Sequence, residues 1–379
     1  MSKGTIIYIG GFALPDKNAA AHRVINNAKI LRELGYNVVF ISKIVDKLAT
    51  SNNKKMVKYY GFECWEIELK QSKVEMVKAL FEISSIKPIL EKYSDLKIVI
   101  AYNFPAIALL KLRNYCSDNG IKCLGDITEW YGTKDKSLIY KLIKGFDSTL
   151  RMRVINKMLD GLIVISNYLL NYYENKKNII CIPPLVDLSD EKWIFKEEFK
   201  ENKMTFVYAG APSSEKERLD IIVKCINELS YYYPVVLNII GITEEQFYSI
   251  YKIHSHFNFH SDAIIFHGRL NHRKTIESVK LADFSLVIRE DSRLTKAGFP
   301  TKFVESITCG TPVIFTDNSD LKRYVQNGMN GYIVTIDNFK EDLEKIIKAN
   351  AEIRVDNNIF DYKSYIEDTQ QFMEMIFNK

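Results

Sequence analysis

Short apolar runs alternate with longer amphipathic stretches along nearly all of this chain, and the alternation stops once and starts again. Thr5–Ile9 reads as a strand, Ala19–Leu34 as a helix closed by Gly35, and Asn37–Ile41 as a second strand. Lys97–Ala101, Ile121–Leu124, Gly161–Ile165 and Asn178–Ile182 repeat the strand pattern, with helical periodicity between most of them. Strands alternating with helices point to a parallel sheet, because the chain must cross over between neighbouring strands and a helix is the usual crossover. At Pro183-Pro184 the pattern gives way to a charged stretch without strand character, then restarts with Thr205–Ala209. A helix to about Leu229, then Val235–Ile240, Ala263–Phe266, Phe284–Ile288, a helix from about Lys302, and Pro312–Phe315 follow.

A βα series that stops and restarts predicts an α/β chain with two doubly wound domains, and 379 residues suffice for both. The expected division is a first domain over 1–185, a linker over 186–203, a second domain over 204–350 and a C-terminal segment over 351–379. The amphipathic helix of that last segment, Tyr362–Phe377, is a candidate to return to the first domain.

Composition narrows the function classes. An apolar fraction of 47% excludes a disordered chain. Six cysteines without a CxxC pair fit reduced thiols of a cytoplasmic protein better than a disulfide framework or a zinc ribbon. The opening apolar run is too short for a signal peptide, and no run approaches the ~18 residues of a membrane span. The expected location is cytoplasmic, with a peripheral place on the inner face of the cell membrane as an extension.

A net charge of +5 is too small for a dedicated nucleic-acid binder unless it is concentrated. It is concentrated: 134–157 carries Lys134, Lys136, Lys141, Lys144, Arg151, Arg153 and Lys157 against Asp135 and Asp147. Leu138, Ile139, Leu142, Ile143, Phe146, Leu150 and Met152 interleave with them, which suits an anionic membrane or acceptor surface. The same pattern fits a solvated helix packed on its own domain equally well. No nucleic-acid motif accompanies the charge.

In doubly wound sheets ligands sit beyond the C-terminal strand ends, so a cleft between two such sheets is the expected site. Gly10 and Gly11 follow the first strand, where backbone can approach a ligand; GxGxxG is absent, which weakens a dinucleotide reading. Gly210 opens the corresponding loop of the second domain, Ser213 or Ser214 is placed to cap the next helix, and Lys216 lies near the helix start, suited to a phosphate or to solvent. The richest stretch runs from Arg289 through Gly298-Phe299-Pro300-Thr301 to Lys302 and Glu305. Thr301 is a candidate cap, and a phosphate there would meet N–H groups, the helix dipole and cations together. Asp126 and Glu129 follow a first-domain strand and suit sugar hydroxyls, base chemistry or a helix cap. Asp-x-Asp, GxSxG, HExxH and GxxxxGK[ST] are absent. His254, His256 and His260 lie two and four residues apart without a cysteine, a poor metal set.

In order along the chain, these loops resemble the retaining glycosyltransferases of family 4, which have the GT-B fold. The likeness rests on GGFALPDKNAAAHRVINNAKILRELGYNVVFIS, Ile165-Ser166, IPPLVD at Ile182–Asp187, GTPVI at Gly310–Ile314 and NGMNGYIV at Asn327–Val334. The resemblance implies two Rossmann-like domains facing a cleft, with the second binding the donor. It implies Gly10 and Gly11 near the donor phosphate or sugar, Lys216 on the diphosphate and Glu305 on the ribose. The usual arginine after the second-domain glycine is Ala211, and the first of the paired glutamates is Ala297; Arg289 and Lys302 are candidates for the missing charge. The activity implied is hexose transfer from a nucleoside diphosphate sugar, UDP-linked in the commonest case, to a saccharide or lipid-linked acceptor, without cofactor or metal, in bacterial surface polysaccharide synthesis. A GT-B nucleotide-sugar epimerase and a non-catalytic GT-B subunit are the alternatives.

Overall fold

The computed structural model describes residues 2–378 except 16, 47–52, 71–77, 79, 131–137, 195–202, 254–258, 261, 319, 352 and 354. At 44–46, 53, 69–70 and 138–142 it describes the backbone alone. The chain divides into two compact units, Met1–Leu185 with Asp361–Lys379, and Val186–Phe360.

In the first unit, β1 (Thr5–Gly10) is buried along its whole length and pairs in parallel with β2 (Asn37–Asp46) and β5 (Leu96–Tyr102). Such a strand is an apolar run because both faces are covered. The series continues in parallel through β6 (Lys122–Ile127), β7 (Gly161–Val164) and β8 (Ile179–Cys181). On the other side β2 pairs with β4 (Phe62–Lys70), and β3 (Asn53–Tyr59) closes the edge antiparallel to β4. The sheet order among the described residues is β3-β4-β2-β1-β5-β6-β7-β8.

The β3–β4 hairpin adds an antiparallel edge strand to the parallel sheet that the alternation predicts. Its turn is Tyr60-Gly61, with φ of 51° and 81°, the two positive values that a tight right-twisting hairpin needs. Lys54, Lys55 and Lys58 in β3 and Glu63, Glu66 and Glu68 in β4 put charge on both faces and hide both strands from an apolar-run reading. Lys55 reaches Glu66 at 3.1 Å and Tyr59 donates to it at 2.8 Å.

The helix Ala19–Glu33 is capped by Asn18, which accepts from the Ala21 N–H. It carries Arg23 into the core, where Nε and Nη2 bind both oxygens of Asp126 at 2.8–3.1 Å and Nη1 donates to the Ile182 carbonyl at 2.8 Å. Tyr8 donates to Asp126 and accepts from Asn27. This network ties the first helix to β1, to β6 and to the residue after β8.

The C-terminal helix Ile366–Phe377 sets Phe372, Met373 and Ile376 among the core residues of the first unit. Gly161, at the start of β7, makes room for it. A Cβ there would stand 2.5 Å from Ile376 Cδ1 and 3.1 Å from both Leu124 Cδ2 and Phe372 Cζ. Gly161→Ala is therefore expected to lower stability by about 1–3 kcal/mol through overpacking. Thermal melts would check it, and Ile376→Val in the same chain should recover part of the loss.

The second unit has a parallel sheet in the order β11-β10-β9-β12-β13-β14. Its strands are β9 (Met204–Ala209), β10 (Val235–Ile240), β11 (Ile264–Gly268), β12 (Phe284–Val287), β13 (Val313–Thr316) and β14 (Gly331–Val334). The described part of the stretch read as a linker packs on this unit. Val186 N–H bonds the Phe360 carbonyl, Lys280 Nζ donates to the carbonyls of Lys192 and Ile194, and Trp193 lies edge-on to His272.

Candidate functional site

In the second unit the chain order of the sheet reverses at β9, whose neighbours are β10 and β12, and the loops leaving β9 and β12 meet there. Gly210 leaves β9 with φ of 130°, a conformation open to glycine. The next segment turns tightly, with Ser213 O accepting from the N–H groups of Lys216 and Glu217 at 2.9 Å each. Ser213 and Ser214 do not cap the following helix, which starts at Leu219 with Arg218 in the capping position and no side-chain cap.

Main-chain bonds stitch this turn to the segment after β12. Arg218 N–H donates to Ile288 O at 2.9 Å, Glu290 N–H donates to Lys216 O at 3.3 Å, and Glu217 bridges Arg289. Thr316 at the end of β13 accepts from the Arg289 N–H and donates to its carbonyl, both at 2.8 Å. The Arg218 side chain joins Asp220 at 2.8 Å to Glu290 at 2.5 Å. Lys216, Glu217 and Arg289 are thus placed by backbone geometry.

The helix Thr301–Thr308 supplies Lys302 and Glu305. Pro300 holds its capping position and no side chain caps it, so Thr301 is the first helical residue instead of the cap the sequence suggested. Lys302 Nζ lies 2.8 Å from Glu217 Oε1, donates to the Tyr208 hydroxyl at 2.8 Å and sits 4.0 Å from the centre of that ring. Tyr208 donates to the other oxygen of Glu217. A Cβ at Gly210 would stand 3.6 Å from Lys302 Cε, so the glycine turn lies directly beside the lysine.

The Lys302 and Glu217 side chains are only 11% and 12% exposed. Burial pulls the Lys302 ammonium below its ordinary pKa, against the opposing pull of Glu217. Burial opposes the Glu217 carboxylate, but Lys302, Tyr208 and Arg289 together hold it below its ordinary value. Burial and then Glu217 push the Tyr208 phenol well upward.

One turn on from Lys302, Glu305 Oε1 lies 3.0 Å from His272 Nε2, at the start of the helix His272–Leu281. Phe299 packs on Phe303, Tyr324 and Phe360, and Pro300 beside it is buried, so both serve the core. Gly298 has φ of −92°, a value any residue adopts.

In the first unit Gly10 is required by packing, since a Cβ would stand 2.8 Å from Tyr102 Cβ; the space beside Gly11 is open. Asp126 corrects the sequence reading: it is fully buried and committed to Arg23 and Tyr8, a core ion pair and not an open carboxylate. Glu129 is partly exposed. Lys43 near the C-terminal end of β2 was not marked by the sequence; burial lowers its pKa to about 8, and Nζ lies 5.0 Å over the Phe104 ring.

Of the basic segment, Lys134 and Lys136 lie outside the described residues, as does the Lys141 side chain. Lys144 is partly exposed and Arg153 exposed, whereas Arg151 is 2% exposed and so belongs to the interior, not to a surface. His254 and His256 also lie outside the described residues. No helix among the described residues is long and apolar enough to cross a membrane.

Residues 189–359, which fall in the second unit, match the family described as glycosyl transferases group 1. Over its length the chain is similar in structure to sucrose-phosphate synthase from Thermosynechococcus elongatus, at a TM-score of 0.72 and 14% identity, covering 99% of each chain. It is similar to the catalytic domain of starch synthase IV from Arabidopsis thaliana bound to ADP and acarbose (0.68, 11%, covering 99% of this chain and 100% of that one). It is also similar to HepE from Anabaena in complex with UDP and glucose (0.62, 11%, covering 98% and 99%). No curated protein sequence matches the chain. The fold is GT-B, with a parallel sheet and covering helices in each unit and one antiparallel edge strand in the first.

Proposed function

We propose that this chain of GT-B fold is a glycosyltransferase that moves a hexose from a nucleoside diphosphate sugar, with UDP as the nucleotide, to a hydroxyl of a saccharide or lipid-linked acceptor. Configuration at the anomeric carbon is retained, and the setting is bacterial surface polysaccharide synthesis. The second unit binds the donor and the first binds the acceptor. UDP in the HepE complex supports the choice of nucleotide.

The observation that carries this reading is the convergence of Lys302, Arg289 and the Gly210 turn at the first turn of the Thr301–Thr308 helix, with Lys216 in the adjoining turn. As the bond from the anomeric carbon to the diphosphate breaks, negative charge grows on the leaving oxygen and the sugar becomes oxocarbenium-like. Cations and helix N–H groups fixed in place beforehand stabilise that charge without reorganising at the moment of reaction. Lys216, Lys302 and Arg289 supply the charge that a metal would otherwise bring. Glu305 holds the ribose hydroxyls, releasing His272 or sharing the second oxygen with it.

Sugar transfer assayed in EDTA tests the assignment. Lys216→Ala is expected to lower kcat/KM by about 10²-fold, as loss of one charge-stabilising donor does. Glu305→Ala is expected to raise the donor KM by roughly 10- to 100-fold, the worth of hydrogen bonds to a charged group. Full activity in either variant removes its role, and strict dependence on added metal removes the metal-free reading. Donor isomerised without acceptor would identify an epimerase, and absence of donor binding in calorimetry a non-catalytic subunit.

An anionic membrane surface is the further partner in this reading. Ile143 and Phe146 on the helix Leu138–Leu150, then Val154 and Met158, are exposed at 46%, 66%, 47% and 43%, with Arg153 and Lys157 exposed beside them. Phe146→Glu should weaken sedimentation with phosphatidylglycerol vesicles about tenfold, given roughly 1.5–3 kcal/mol for burying a phenylalanine. Equal binding by the variant would remove this partner.

A further inference from the structure

We propose that Glu217 is a positioning residue that keeps the Lys302 side chain charged and aimed at the first turn of the Thr301–Thr308 helix, so that anion binding there is a property of the pair. The inference deepens the proposed function and rests on its placement of the donor diphosphate at this turn.

The geometry carries it. Lys302 is almost enclosed, and the side chains and charges bearing on it come from four directions. Glu217 stands at 2.8 Å from the turn before the helix Leu219–Leu229, and Tyr208 at 2.8 Å from β9. Arg289 after β12 repels it, and Glu305 one turn along its own helix attracts it from farther away. Tyr208 is a neutral phenol, and Arg289 works against a second cation. The Glu305 carboxylate is engaged by His272. Among these groups Glu217 alone is both anionic and in contact with Nζ, so it offsets the cost of burying an ammonium beside an arginine. It is itself fixed from both sides, by the Tyr208 hydroxyl at one oxygen and by its main-chain bridge to Arg289. A lysine with four rotatable bonds is thereby held in one place next to Gly210.

The sign of the pH effect follows. With Glu217 replaced by a neutral isostere, burial and Arg289 act on Lys302 unopposed at close range, and its pKa falls further. A diphosphate prefers the ammonium, so anion binding in that variant is present at low pH and lost as pH rises through the lowered value. In the native pair the ammonium persists to higher pH.

Two measurements on the full chain test this. The first needs no ligand: the Lys302 side chain is titrated by ¹³C NMR of labelled lysine, assigned by its absence in Lys302→Arg. Glu217→Gln is expected to titrate at least one pH unit below the native protein, and coincident titrations overturn the proposal. The second is calorimetry with UDP between pH 7 and 9. Native affinity should be nearly flat, Glu217→Gln should lose up to about tenfold per pH unit, and Glu217→Gln/Lys302→Arg should be flat again because a guanidinium stays charged. A flat profile in Glu217→Gln overturns the proposal, as does a falling profile in the arginine double variant. Tyr208→Phe, which keeps the ion pair, should titrate like the native protein; if Glu217→Gln does not fold, Glu217→Asp takes its place with the same direction of shift. Failure of the native protein to bind UDP, ADP or GDP overturns the donor reading, while the ligand-free titration still decides the pair.

Discussion

Arg23→Met is expected to destabilise the first unit by about 3–5 kcal/mol, the cost of leaving one partner of a buried pair uncompensated. Arg23 and Asp126 are 3% and 0% exposed, bound through two nitrogens and both carboxylate oxygens. The loss belongs at the upper end of that range because the same guanidinium also satisfies the Ile182 carbonyl, where the chain leaves β8. Removing it leaves a buried carboxylate and a buried carbonyl short of a donor at once. Urea unfolding followed with a probe in the first unit measures it, and a change below about 1 kcal/mol would show that the pair is dispensable. Arg23→Met/Asp126→Leu should recover part of the loss, because no charge then remains to be buried.

The second large effect is on turnover. Lys302→Met is expected to lower kcat/KM by about 10²–10³-fold, the scale for losing one preorganised charge that faces the leaving group. The substitution also strands Glu217, so a loss of activity by itself would not separate catalysis from folding. Glu217→Gln/Lys302→Met settles this: the uncompensated charge is gone, so thermal stability should return toward native while activity stays low. Recovery of activity together with stability would remove Lys302 from the chemistry. Lys302→Arg should retain part of the activity, since the charge survives but the fork does not match the tyrosine and glutamate in the same way.

Much of the strand order along the chain was legible because a doubly covered strand has to be an apolar run. The six buried residues of β1, the run of β10 and the short β13 announce themselves for that reason. The β3–β4 hairpin does not, because charged residues interrupt both of its faces, Lys55, Glu66 and Glu68 on one and Lys54, Lys58 and Glu63 on the other. Its signal was the Tyr60-Gly61 turn between alternating residues, a two-residue pattern easily read as a loop. Phe299 shows the reverse error. Its place in a loop beside two site residues suggested a ligand contact, yet its ring completes an aromatic cluster with Phe303, Tyr324 and Phe360.

The site divides in the same way. Arg289 and Lys302 could be named because one follows a strand and the other opens a helix, positions where anions bind; Lys216 and Glu305 were singled out through the family resemblance. Tyr208, Glu217 and His272 could not, because their importance lies in partners remote in sequence. Glu217 meets Lys302 across the sheet reversal at β9, and His272 meets Glu305 through helix packing. Asp126 was misread for a related cause: residues at a strand end are open to a ligand unless another element supplies a counter-charge, and Arg23 does so from a distant helix.

The sequence by itself therefore determined the alternation, the break after the paired prolines, and which loops stand at strand ends, since these depend on local periodicity and backbone preference. Only the tertiary structure decided the charge pairs. Whether a buried lysine, arginine or carboxylate serves the core or the site depends on which opposite charge lies within about 3 Å of it. That distance is set by the packing of residues far apart in the chain.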